Sequence, residues 1–343
     1  MTLHALMTAR PARPMFAWTA VLAVALPLLG CTTAETTASE NFVDTTTYAD
    51  TAAGLDTTET GDTSGLPEDT GVSSDATAQT GPAAPKVYEG TCPTFKTGTN
   101  ILKSNGYDRR MRVALPEQPQ GAPVVFIWHG LGDTAENMAN YMGDKTIAKN
   151  RGAIVVTLDS CCNHPANKAC CPMMTGWGFA GKPESDLALF DDTLACLDQT
   201  YAIDRTRVYT TGFSAGALWS TWLLMHRADQ LAAAVLFSGG INSFVKWVQP
   251  AYRLPVLVAW GGAKDLFSGG IVNFAESAAA LTKNLRENGH FVVSCNHGLG
   301  HSVPTSGPKW ATDFLFQHTW SDGSSPLASV LSELYPSYCE IAP

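Results

Sequence analysis

The sequence predicts an α/β fold with a mainly parallel central sheet and helices on both faces. Three observations carry that expectation. Short apolar runs recur along the chain: PVVFIWHG (123–130), AIVVTLDS (153–160), RVYTTGF (207–213), LAAAVLFSGG (231–240), LPVLVAWGG (254–262) and HFVVSC (290–295). Runs of this length, rich in β-branched residues, read as strands buried on both sides. Helical patterns separate them. Residues 184–201 place Leu187, Phe190, Leu194 and Leu197 at helical spacing, a second helix begins near Ala215, and a third spans 274–288. The composition agrees, because 343 residues at 45% hydrophobic and 15% charged suffice for one large domain plus extra segments. Residues 108–114 read as an edge strand, and HFVVSC as the last strand. There are no internal repeats.

Ahead of this domain, residues 1–31 read as a targeting segment. Arg10 and Arg13 precede an apolar run, 15–29, broken only by Thr19 and Pro27. That run is short for a membrane span and fits a signal-peptide core. It ends in Leu28-Leu29-Gly30-Cys31, which resembles the lipobox of bacterial lipoproteins. The resemblance implies lipidation at Cys31 and a membrane partner through that lipid anchor. Thr32 is not the inner-membrane retention residue of some Gram-negative lipoproteins, which points to the outer membrane. Residues 32–85 hold fifteen threonines, ten acids and no Lys or Arg. Such a segment buries too little apolar area to offset its ordering entropy, so it reads as a disordered acidic linker. The folded domain is then 86–343, extracytoplasmic and tethered. It carries a net charge of only −1, and the basic footprint of nucleic-acid binding is absent.

Nine cysteines leave eight once Cys31 is set aside, an even number that in an exported chain predicts disulfides. Cys92 with Cys339 is the expected pair, because both flank the domain and domain termini often lie close together. Cys161, Cys162, Cys170 and Cys171 read as part of a disulfide-pinned loop, 160–183. No metal site is expected there.

The chemistry concentrates where RVYTTGF meets a helix. Gly212-Phe213-Ser214-Ala215-Gly216 puts a serine in a strand-to-helix turn that forces strained φ/ψ and tolerates only small neighbours. A serine hydroxyl needs a base, and the base needs an orienting acid. Asp265 follows the strand LPVLVAWGG, and His301 follows HFVVSC, with His297 as the lesser candidate. The order Ser, acid, His is that of α/β-hydrolases. Two backbone donors complete the site: the N–H of Ala215, at the helix start, and that of Leu131, in His129-Gly130-Leu131-Gly132-Asp133. His129 reads as a structural histidine supporting that loop. Met173, Trp177 and Phe179 in the cysteine loop are expected to line the substrate pocket.

The stretches VVFIWHGLGDTAENM, YAIDRTRVYTTGFSAGALWS, AWGGAKDLF and CNHGLGHSVP, within roughly 90–320, resemble the secreted α/β-hydrolases of the polyhydroxybutyrate depolymerase and feruloyl esterase type. HGLGDTA is also similar to the carboxylesterase and acyl-protein thioesterase group, whose loop supplies the leucine N–H. The resemblance implies an α/β-hydrolase fold, a triad of Ser214, Asp265 and His301, and an ester substrate, small or polymeric. It implies no cofactor and no metal. A prolyl-oligopeptidase-type peptidase shares the triad order but carries a further domain that 32–85 cannot supply. A non-catalytic binding protein on the same fold would not need the intact triad. The insert 161–171 and the tail 320–343 match nothing in the resemblance, and no oligomeric state follows from the sequence.

Overall fold

The computed structural model describes residues 81–163 and 176–343. The signal segment, Cys31, most of the linker, Met173 and Cys170-Cys171 lie outside the described residues. Contact with the domain starts within the expected linker, since Ala83 N–H donates to the Asp229 carbonyl at 2.8 Å.

Among the described residues, eleven strands and six α-helices follow one another: β1 Gly98–Ser104, β2 Tyr107–Ala114, β3 Val124–Trp128, α1 Ala135–Met142, α2 Asp144–Arg151, β4 Ile154–Leu158, α3 Pro183–Tyr201, β5 Val208–Phe213, α4 Ala215–His226, β6 Ala233–Phe237, β7 Val256–Trp260, β8 Leu266–Phe267, β9 Val272–Asn273, α5 Phe274–Glu287, β10 Val292–Asn296, α6 Gly307–Phe316 and β11 Cys339–Ile341. Nine strands form one sheet in the order β1-β2-β4-β3-β5-β6-β7-β10-β11, while β8 and β9 make a separate small ribbon. From β4 to β10 every pairing is parallel. β1, β2 and β11 are antiparallel to their neighbours.

All six apolar runs form parallel strands, and alternate residues feed two cores. Val124, Phe126 and Trp128 of β3 pack on the side of α3, α4 and α5, with Leu194, Trp219 and Leu281. Val125 and Ile127 face the other way, toward Met138 of α1, Ile147 of α2 and Trp310 of α6. A strand buried on both faces must be apolar throughout, which is why these runs show no alternation.

Both sheet edges differ from the sequence expectation. Residues 108–114 are not the edge: β1 lies outside β2, joined through Asn105-Gly106, both at positive φ. Asn-Gly between two strands is the type I′ hairpin signal. At the far edge HFVVSC is not last, because the tail returns as β11 beside β10. Leu327 and Tyr335 of that tail are buried in the second core.

The expected Cys92–Cys339 pair does not form. Cys92 bonds Cys196 on α3, and Cys295 bonds Cys339 across the β10–β11 register. β11 and β1 close opposite edges of a nine-stranded sheet. Eight steps of about 4.8 Å put those edges roughly 40 Å apart, so proximity of the termini fails here. Cys161 and Cys162 are also disulfide-bonded. Such bridges fit an oxidising compartment. No helix among the described residues is long and apolar enough to cross a membrane.

Candidate active site

The strand order reverses at β3, with β4 on one side and β5 on the other. Such a switch point opens a crevice at the strands' carboxyl ends. Three loops that the sequence singled out converge there.

Ser214 follows β5 with φ 55° and ψ −120°, outside the regions a non-glycine residue prefers. Two bonds hold it there: its N–H donates to the Phe237 carbonyl at 2.9 Å, and its carbonyl accepts from Leu218 at 2.9 Å. The turn closes only because Gly216 lacks a side chain, since a β-carbon there would overlap the Trp128 carbonyl. Strand β3 and helix α4 therefore touch backbone to backbone below the serine.

His301 bridges Ser214 and Asp265. Its Nε2 lies 2.9 Å from Ser214 Oγ, and its Nδ1 lies 2.6 Å from Asp265 Oδ1. A proton on Nδ1 donates to the carboxylate and leaves the Nε2 lone pair for the serine hydroxyl. Asp265 is fully buried. Its second oxygen accepts from Ser238 Oγ and from Gly261 N–H, both at 2.8 Å. A buried carboxylate needs such partners. Ser238 was not singled out in the sequence. It sits in LFSGG after β6 at φ 52°, and its signal was a serine-glycine pair at a buried strand's carboxyl end.

The His301 loop is clasped by its neighbours. His297 N–H donates to the Trp260 carbonyl and Gly300 N–H to the Gly261 carbonyl, each at 2.9 Å, and Tyr141 OH donates to the Val303 carbonyl at 2.7 Å. His297 is buried, accepts from Leu299 N–H at Nδ1, and burial pushes its pKa down. It braces the loop while His301 reaches Ser214.

The glycine loop after β3 lies against the serine. A β-carbon on Gly130 would come within 3.7 Å of Ser214 Cβ. Asp133 N–H donates to the Gly130 carbonyl at 3.1 Å, which closes a turn around Leu131. His129 is buried beneath. One ring nitrogen, Nδ1, lies 2.7 Å from the Gly130 carbonyl, while Nε2 accepts from Ser160 N–H at 3.1 Å. Burial pushes its pKa down despite Asp159, Asp133 and Asp186 nearby, so it stays neutral and holds the loop, as its sequence context indicated.

Among the described residues, a cavity of about 370 Å³ opens on Ser214 and is lined by Ala215, Leu131, Phe179, Leu218, Phe244 and Phe274, among others. Its far wall is the β8–β9 ribbon, through Phe267, Ile271 and Val272. None of the described residues that line it is charged. Phe179 lines this cavity. Trp177 does not line the cavity: it is fully buried, set edge-on to Trp128 at 5.0 Å, and its indole N–H donates to the His129 carbonyl at 2.8 Å. Its polar tip found a partner inside the core, so it braces the glycine loop from below. The ribbon was missed in the sequence. Its signal was a set of large apolar residues, LFSGGIVNF, in a glycine-rich stretch directly after the acid.

A buried ion pair steadies the floor. Arg109 on β2 donates to Asp186 Oδ1 at 2.6 Å and to the Ser185 carbonyl at 3.2 Å, while Asp186 Oδ2 accepts from Gly178 N–H at 2.7 Å. It thereby ties the segment bearing Phe179 to the sheet.

No family model matches the chain. Feruloyl esterase D of Neurospora crassa is 27% identical over 243 residues, covering 66% of this chain and 74% of the relative. The native structure of pOPH superposes with a TM-score of 0.59 at 21% identity, covering 74% of this chain and 97% of its own. That of sOPH gives 0.59 at 20% identity, covering 75% and 97%. At these identities the solved structures carry the fold alone. The chain has the α/β-hydrolase fold, and its sequence is similar to that of esterases.

Proposed function

We propose that the protein is an exported serine esterase that cleaves carboxylic esters through an acyl-enzyme on Ser214. The observation that carries this reading is the position of His301, within hydrogen-bond reach of both Ser214 and Asp265. His301 takes the serine proton at Nε2 as Oγ attacks the ester carbonyl. Asp265 keeps the ring oriented and balances the charge that His301 acquires. The N–H groups of Leu131, in the glycine loop after β3, and of Ala215, at the start of α4, receive the oxyanion. Losing one such donor costs about 3–4 kcal/mol of activation free energy. His301 then protonates the leaving alcohol, and water releases the acid by the reverse sequence.

A cavity whose described lining holds four phenylalanines and no charged side chain suits an apolar or aromatic acyl group, such as a feruloyl or a hydroxyalkanoate ester. Leu131, Phe244, Phe267 and Ile271 line it and are also exposed at its mouth, which leaves room for a longer apolar ester. Lipidation at Cys31, with 32–85 as a tether, would hold the enzyme at a membrane surface facing away from the cytoplasm.

The test is hydrolysis of p-nitrophenyl acetate, butyrate and octanoate by the full chain beside Ser214→Ala. Turnover lost in the variant supports the reading, and the chain-length profile sizes the cavity. Equal turnover by the variant refutes it. Feruloyl esters and polyhydroxybutyrate, assayed the same way, distinguish the two acyl classes.

A further inference from the structure

Polar partners fix the edge of the His301 ring; two phenyl rings pack against the imidazole itself. Phe274 lies nearly parallel to it, with centroids 4.7 Å apart and planes 17° apart. Phe213 lies at 4.8 Å and 32°. Neither ring is placed independently of the triad. Phe213 is bonded in sequence to Ser214. Phe274 begins α5, and its N–H donates to the Asp265 carbonyl at 3.0 Å. The residues on either side of the proton path thus each bring a phenyl ring to the base.

The chemistry gives these rings a role beyond packing. His301 is neutral before reaction and becomes an imidazolium when it takes the Ser214 proton. A phenyl face is electron-rich and attracts a cation within about 6 Å of its centroid, whereas a neutral ring gains little. The interaction is therefore stronger in the transition state than in the resting enzyme, which is the condition for accelerating the step. Few other charges compete. Asp265 bonds the ring directly, His297 is neutral by burial, and Lys264, beside Asp265, is exposed to solvent.

We propose that Phe274 and Phe213 are positioning residues that favour the protonated state of His301 through their ring faces. The inference rests on the serine-esterase reading. The test is the pH dependence of kcat/KM for p-nitrophenyl butyrate, measured on the full chain for the parent, Phe274→Leu, Phe213→Leu and Phe213→Tyr, with Ser214→Ala alongside. The acidic limb of that profile reports the free enzyme's base. Leucine excludes water but offers no ring face, so each leucine variant is expected to move the limb down by about half a pH unit. Plateau kcat/KM should fall by about two- to five-fold, and Phe213→Tyr should keep the parent limb. A limb that stays put or moves up in the leucine variants overturns the proposal, because loss of packing alone would admit water and raise it. Should buried Phe274→Leu fail to fold, half-buried Phe213→Leu decides the matter. Activity surviving in Ser214→Ala overturns both this inference and the esterase mechanism; activity lost there with an unmoved limb overturns this one alone.

Discussion

Ser214 is held in a backbone conformation that only glycine adopts without strain, and the strain is imposed by its neighbours. Its N–H and C=O are both engaged, and Gly216 lets β3 and α4 close beneath it. Strain of this kind costs about 1–3 kcal/mol. Alanine removes the hydroxyl and keeps the strain, whereas glycine removes both. Ser214→Gly should therefore be as inactive as Ser214→Ala but more stable than it, by about 1 kcal/mol after glycine's own entropy cost. Urea unfolding of the two variants checks this, and a less stable glycine variant would contradict the strain argument. The serine was legible in the sequence because glycine spacing around a strand end is a local signal. Trp177 was misassigned for the opposite reason. A tryptophan in a loop looks available for substrate, and its bond to the His129 carbonyl exists only once the 129–133 glycine loop and the segment bearing Trp177 are stacked in three dimensions.

At the scale of elements, the site is a meeting of loops that the sheet order brings together. The Arg109–Asp186 pair joins β2 to the first turn of α3 and to Gly178, below the segment that carries Phe179. Both side chains are almost fully buried. Removing one partner of such a pair strands a charge in the interior and costs about 3–5 kcal/mol. Arg109→Met is expected to lower unfolding free energy by that amount, as read by urea denaturation, and to lose more than Arg109→Met/Asp186→Leu. If the single and double variants are equally stable, the stranded-charge account fails. The β8–β9 ribbon illustrates the limit of local reading. Two-residue strands leave no periodicity to detect, and the ribbon is defined by closure between Asp265 and Phe274, not by its own sequence.

At the scale of the whole molecule, buried histidines couple the fold to pH. His318, at the end of α6, has its pKa pushed down to about 4 by burial. Its Nε2 lies 2.7 Å from Ser325 Oγ in the returning tail. The unfolded chain takes up the proton near pH 6.5, before the folded one does. Stability from this residue is therefore full above about pH 6.5 and is lost as pH falls toward 4. The loss between pH 7 and pH 5 should be about 2 kcal/mol. Urea unfolding at the two pH values measures it. His318→Gln, less stable at pH 7, should lose less on acidification, and an undiminished loss in that variant would assign the effect to other groups.

The sequence by itself determined the parallel sheet and its six central strands, and it singled out the serine, aspartate and histidine that lie together in the structure. Each is a local pattern: an apolar run that must be buried on both faces, or a short motif at the end of one. Tertiary structure alone decided the disulfide partners, the edge strand β11, the support of Asp265 by Ser238 and the ribbon wall of the cavity. Those features depend on which strand ends become neighbours. That is set by the β4-β3-β5 reversal and by the packing of α3 to α6 on two sides of the sheet, and no stretch of residues encodes it alone.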